Sequence, residues 1–123
     1  MRVLYVEDDE SARVLLSKRL APEGIEVVCA ESGQVGIELL RRERFDALIL
    51  DIMMPGIDGF QVGRTARKEG LNTQIPILFL TAHPRALQES QAKSLQPVAS
   101  ITKPFKMEKI LSALRELVPS KKP

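Results

Sequence analysis

Five short apolar runs punctuate the chain, at residues 3–6, 25–29, 47–50, 77–80 and 98–101. Each is rich in Val, Ile or Leu and too short for a buried helix, which predicts strands covered on both faces of a parallel sheet. Between the runs, apolar residues recur with helical spacing. Val14, Leu15 and Leu20 mark a first helix over about residues 11–21, stopped by Pro22 and Gly24. Ser32 is placed to N-cap a second, whose stripe is Val35, Leu39 and Leu40. A third covers about residues 59–68 and ends at Gly70, and a fourth after Pro84 carries Ala86, Leu87 and Leu95. A fifth, over about residues 106–118, repeats Ile110, Leu111, Leu114 and Leu117 until Pro119 stops it.

Five strands alternating with five helices predict a doubly wound α/β domain with a parallel sheet. The pattern occupies residues 1–119 and leaves residues 120–123 as a polar tail, with no internal repeat, low-complexity segment or linker. The length of 123 residues suits one hydrophobic core and is short for two. Hydrophobic residues at 44% and charged ones at 28% fit an ordinary globular chain. A net charge of +2 is too small to point to nucleic acid, and 4% aromatics without Trp offer no platform for stacking bases. No stretch approaches the roughly 18 apolar residues that cross a bilayer, and none resembles a secretion signal. Cys29 is the one cysteine, so no internal disulfide forms, and it reads as a small buried hydrophobe. These features predict a soluble, cytoplasmic protein without direct nucleic-acid or membrane partners.

Ligands of such sheets bind beyond the carboxyl ends of the strands, where the strand order reverses. The residues there are Glu7, Asp8 and Asp9 after the first run, Asp51 after the third, Thr81 after the fourth and Lys103 after the fifth. Each has a plain structural reading: acids favour helix N-termini, a threonine hydroxyl can satisfy a strand end, and a lysine can be solvated. Read together they fit one chemistry. Unit charges about 4 Å apart repel by roughly 4 kcal/mol at an effective dielectric of about 20, so Glu7, Asp8 and Asp51 call for a proton or a cation. Oxygen ligands without His or Cys favour a hard ion, Mg²⁺ before Ca²⁺. A lysine ammonium and a threonine hydroxyl complete a set able to stabilise an in-line phosphoryl transfer.

The segment from Asp51 through Met53, Met54, Pro55 and Gly56 to Asp58 and Gly59 resembles the receiver domain of two-component response regulators. That family carries Asp, two variable residues, Met-Pro, two variable residues and Asp-Gly. The resemblance extends over the whole chain through Val6-Glu7-Asp8-Asp9, Leu80-Thr81-Ala82 and Lys103-Pro104-Phe105. It implies a flavodoxin-like (β/α)5 fold with strand order 2-1-3-4-5. It implies Asp51 as phosphoacceptor, and Mg²⁺ (Mn²⁺ or Ca²⁺ substituting) at Glu7, Asp8, Asp51 and the Met53 backbone carbonyl. Asp8 would bind the ion directly, Glu7 more often through water, and Asp9 would start the helix. Thr81 and Lys103 would hold the phosphoryl oxygens, with a cis Lys103-Pro104 bond. Met53 and His83 occupy the variable positions that tune rates.

The phosphoryl donor would be a histidine kinase or histidine phosphotransfer protein, and the output a protein contact by a monomer or weak dimer. The chain would be a phosphoacceptor with weak self-catalysed chemistry and not a turnover enzyme. Receivers usually carry Tyr or Phe three residues before the lysine, where this chain has Ser100. Switching is then expected to rely on Thr81 and on residues 82–95. With no helix-turn-helix after Val118, the chain reads as a stand-alone regulator, a phosphorelay intermediate or a receiver cut from a longer protein, and Met1 directly before the first strand favours a natural N-terminus. A pseudo-receiver acting as a constitutive binding module is the alternative. An aspartyl-phosphate phosphatase fits less well, because Met53 stands where its general acid belongs.

Overall fold

The computed structural model describes residues 1–52, 54–82, 95–96 and 98–118. Its five strands are β1 (Arg2–Val6), β2 (Glu26–Ala30), β3 (Ala47–Asp51), β4 (Ile77–Thr81) and β5 (Val98–Thr102). They form one parallel sheet in the order β2-β1-β3-β4-β5, as expected. Four helices lie among the described residues: α1 (Glu10–Leu20), α2 (Gly33–Arg42), α3 (Gly59–Lys68) and α4 (Met107–Leu117). A short 3-10 turn (Ala21–Glu23) follows α1, where Pro22 sits in its first positions and Gly24, at φ 77°, ends it. Of the helix expected after Pro84, Ala86 and Leu87 lie outside the described residues, while Leu95 is described and buried in the core layer that α2 and α3 cover.

Period-two alternation sends successive strand residues to opposite faces. Leu4, Val6, Leu48, Leu50, Ile77 and Phe79 meet Ile37 and Leu40 of α2 and Phe60, Val62 and Ala66 of α3 in one core layer. Val3, Tyr5, Ala47, Ile49, Leu78 and Leu80 meet Leu16 and Leu20 of α1 and Ile110 and Leu114 of α4 in the other. Helices therefore cover both faces, and the three inner strands are almost wholly buried. The two edge strands are not: β2 and β5 are partly exposed, because each has a neighbour on one side alone. Cys29, on the edge strand β2, is accordingly half-buried rather than fully enclosed, with its sulfur 3.4 Å from Ser17 Oγ.

The apolar face of α1 departs from the expected one. Leu16 and Leu20 face the sheet, while Val14 and Leu15 are 47% and 53% exposed. Three consecutive apolar residues allow two helical phases, and the i, i+4 pair wins because it points at Val3 and Tyr5. Helix starts follow the sequence closely. Asp9 caps α1 by accepting from the Ala12 N–H at 3.1 Å. Ser32 caps α2 by accepting from Val35. Asp58 and Gln61 form a reciprocal capping box on α3. Between β3 and α3, Gly56 takes a left-handed φ of 75°. Gly59 then lies so close to the end of β3 that a Cβ would sit 2.4 Å from the Asp51 carbonyl oxygen.

Candidate metal and phosphoryl site

The carboxyl edge of the sheet is held by backbone pairing that runs one residue beyond the strands. The Glu7 N–H donates to the Ala30 carbonyl at 3.0 Å, and the Lys103 N–H donates to the Thr81 carbonyl at 2.7 Å. Asp51 is the last residue of β3, in register with Leu80 of β4. These pairings bring the ends of β1, β3 and β5 around one corner. Carboxylate oxygens of Glu7, Asp8 and Asp51 lie within 4.8 Å of one another. The Lys103 ammonium stands 3.2 Å from Glu7 Oε1 and 3.3 Å from Asp51 Oδ2. The Lys103-Pro104 bond is cis.

The four side chains differ in exposure in a way that orders their roles. Glu7 is 2% exposed, Asp8 is open to solvent, and the Asp51 and Lys103 side chains are 13% and 29% exposed. Glu7 is anchored on every side. Its Oε1 accepts from Lys103 and from the Tyr5 hydroxyl, its Oε2 accepts from the Asp9 N–H, and its backbone carbonyl accepts from the Arg13 guanidinium at 2.7 Å. Three carboxylates against one ammonium leave a formal surplus of two negative charges among these groups. An all-oxygen donor set with that surplus fits a hard divalent cation.

The charges shift one another's titration. Burial, then the neighbouring Asp8 carboxyl, raises the Glu7 pKa above its ordinary value, against the opposing pull of the Asp9 N–H and Lys103. Burial disfavours the Lys103 ammonium, yet the Glu7 and Asp51 charges outweigh it and the net shift is upward. Burial, then the Glu7 charge, keeps the Tyr5 phenol protonated well above its ordinary range. A raised carboxyl pKa means that the folded state binds more protons than the unfolded chain between the two values, so stability from this group grows as pH falls. In metal-free urea unfolding, wild type is therefore expected to gain stability relative to Glu7→Gln on going from neutral pH to below the ordinary glutamate range. A gap that moves the other way would contradict the burial argument.

The chain matches the response regulator receiver domain family over residues 3–115. It belongs to that family. The receiver is 37% identical to the response regulator MprA of Mycobacterium leprae over all 123 residues, which is 53% of that protein. It thus spans about half the length of the curated relatives it matches. Among solved structures it superposes on the chemotaxis protein CheY4 of Vibrio cholerae with a TM-score of 0.85, at 30% identity and covering 94% of this chain and 97% of that one. It also superposes on the receiver domain of the sensor histidine kinase PA1611 of Pseudomonas aeruginosa with a TM-score of 0.80, at 26% identity over 97% and 98% of the two chains. That receiver carries a magnesium ion coordinated in its active-site cleft.

Glu7, Asp8, Asp51 and Lys103 of this receiver thus converge as the sequence led us to expect. Thr81 is 1% exposed at the end of β4, beside Thr102 in register. Ser100 is exposed and pairs in register with Phe79. Met53 and His83 lie outside the described residues. Arg115 of α4 pairs with Glu23 at 3.2 Å. Among the described residues no helix is long and apolar enough to cross a membrane. Two contacts escaped the sequence reading: Tyr5 and Arg13, both on Glu7. The signal for Tyr5 was present, since strand periodicity puts it on the same face as a residue two positions on.

Proposed function

We propose that this receiver takes a phosphoryl group from a phosphohistidine onto Asp51, with Mg²⁺ bound beside it. The observation that carries the reading is the Lys103 ammonium, shared between Asp51 and the buried Glu7. Glu7, Asp8, Asp51 and the Met53 backbone carbonyl would hold the cation, and Mn²⁺ or Ca²⁺ would substitute. When bound, the cation supplies positive charge to the oxygens of the phosphoryl group in transfer.

The protein supplies the acceptor and two fixed donors. An Asp51 carboxylate oxygen forms the new P–O bond while the P–N bond of the donor imidazole breaks and its electron pair returns to the ring nitrogen. As Asp51 spends its own charge on that bond, Lys103 donates to a phosphoryl oxygen and the Thr81 hydroxyl to another. Met53 and His83 set water access, and so the lifetime of the acyl phosphate. Each chain accepts one group, which makes it a stoichiometric phosphoacceptor rather than a turnover enzyme. A histidine kinase or histidine phosphotransfer protein is the donor. The output is a protein contact made in the cytoplasm by a monomer or weak dimer, with residues 1–119 as the working unit and residues 120–123 as a tail. With Ser100 in place of the usual aromatic, switching runs through Thr81 and residues 82–95.

Acetyl phosphate with Mg²⁺ is expected to place one alkali-labile phosphoryl group on each chain, and a chelator to prevent it. Beryllofluoride with Mg²⁺ should shift the amide resonances of residues 82–95. A chain that stays unphosphorylated with acetyl phosphate and Mg²⁺ would refute the assignment.

A further inference from the structure

We propose that Tyr5 is a positioning residue of this site, holding the Glu7 carboxylate in the orientation that both the cation and Lys103 require. The proposal rests on the reading of Glu7, Asp8 and Asp51 as the cation site. Tyr5 lies on the inner strand β1, 2% exposed, with Cys29 and Ile49 as its register partners. Every other strand residue in its core layer on the three inner strands is aliphatic: Val3, Ala47, Ile49, Leu78 and Leu80. A phenol in such a layer needs a partner for its hydroxyl, because a buried unpaired donor is costly. Strand periodicity supplies one, since the side chain two residues on points to the same side. That residue is Glu7, and its Oε1 lies 3.2 Å from the Tyr5 oxygen.

The choice of oxygen matters. Oε1 is also the atom that receives the Lys103 ammonium, while Oε2 takes the Asp9 N–H. Two donors on Oε1 and one on Oε2 leave the carboxylate little freedom to rotate. Tyr5 shares the negative charge of Oε1 with Lys103, which leaves the ammonium less tightly bound to Glu7 and free to serve Asp51. Groups that orient a metal-binding carboxylate from behind commonly tune its affinity for the ion. A hydroxyl that merely satisfied its own burial would affect folding and leave that affinity alone.

The chain offers its own probe, since Tyr5 is the single tyrosine and Trp is absent. Titrating the intact protein with Mg²⁺ should change the tyrosine emission, because the phenol is bonded to a carboxylate whose charge the cation offsets. Calorimetric titration of Tyr5→Phe, which keeps the ring, is expected to give Mg²⁺ binding weaker by about tenfold. Its metal-free urea midpoint should stay close to that of wild type. Asp8→Asn, expected to lose Mg²⁺ binding, separates the two layers of the argument. Wild-type emission indifferent to Mg²⁺, or Tyr5→Phe binding as tightly as wild type while Asp8→Asn does not bind, overturns the role of Tyr5 alone. Failure of the wild-type protein to bind Mg²⁺ by calorimetry overturns the cation site, and the role of Tyr5 falls with it.

Discussion

Replacing Asp51 with asparagine is expected to abolish phosphorylation by acetyl phosphate and by any phosphohistidine donor. An amide oxygen is a far weaker nucleophile than a carboxylate oxygen. The nearest alternatives are also poorly placed: Glu7 is buried and held by three donors, and Asp8 carries no ammonium partner among the described contacts. The loss should not come from misfolding. Asp51 stands within 4.8 Å of two other carboxylates, so removing its charge relieves repulsion, set against the loss of one contact with Lys103. The metal-free urea midpoint of Asp51→Asn is therefore expected at or above that of wild type. Mass spectrometry of the intact protein after acetyl phosphate treatment measures the first outcome and urea unfolding the second. Phosphoryl incorporation persisting in the variant would move the acceptor elsewhere.

Lys103→Met should separate cation binding from phosphoryl transfer. The ammonium is the positive charge in contact with both Glu7 and Asp51, and its side chain is 29% exposed. Loss of one preorganised donor of this kind typically costs about 10²- to 10³-fold in rate, and the phosphorylation rate should fall by that order. Mg²⁺ affinity should hold or rise, since a competing positive charge has left a cluster of three acids. Folding should suffer as well, because the variant strands Glu7 in the core. Breaking a buried pair costs roughly 3–5 kcal/mol, and the penalty here should fall below that because Glu7 can take a proton instead. Initial phosphorylation rates at saturating Mg²⁺, set beside a calorimetric Mg²⁺ titration, test the separation. If rate and Mg²⁺ affinity fell together, Lys103 would be serving the cation site and not the phosphoryl group.

Much of this receiver was legible before its structure. The apolar runs located all five strands to within a residue or two, and Ser32 announced the start of α2 through a side chain that accepts from a backbone N–H group. Those signals are local, so the sequence carries them directly. The phase of α1 was misread because Val14, Leu15 and Leu16 are interchangeable as hydrophobes, and the packing partner alone separates them. The exposure of β2 and β5 was likewise hidden, because an apolar run does not say whether its strand has one neighbour or two.

The amino-acid sequence by itself determined which residues could do the chemistry, because carboxylates, a lysine and a threonine placed at strand ends must arrive at one edge of a parallel sheet. The tertiary structure alone decided how they share contacts: that Lys103 bridges Glu7 and Asp51, that Tyr5 and Arg13 brace Glu7, and that Asp8 faces solvent while Glu7 does not. The physical reason is distance. Glu7 and Lys103 are 96 residues apart along the chain and 3.2 Å apart in space, and only the register of the three strand pairings between β1 and β5 sets that separation.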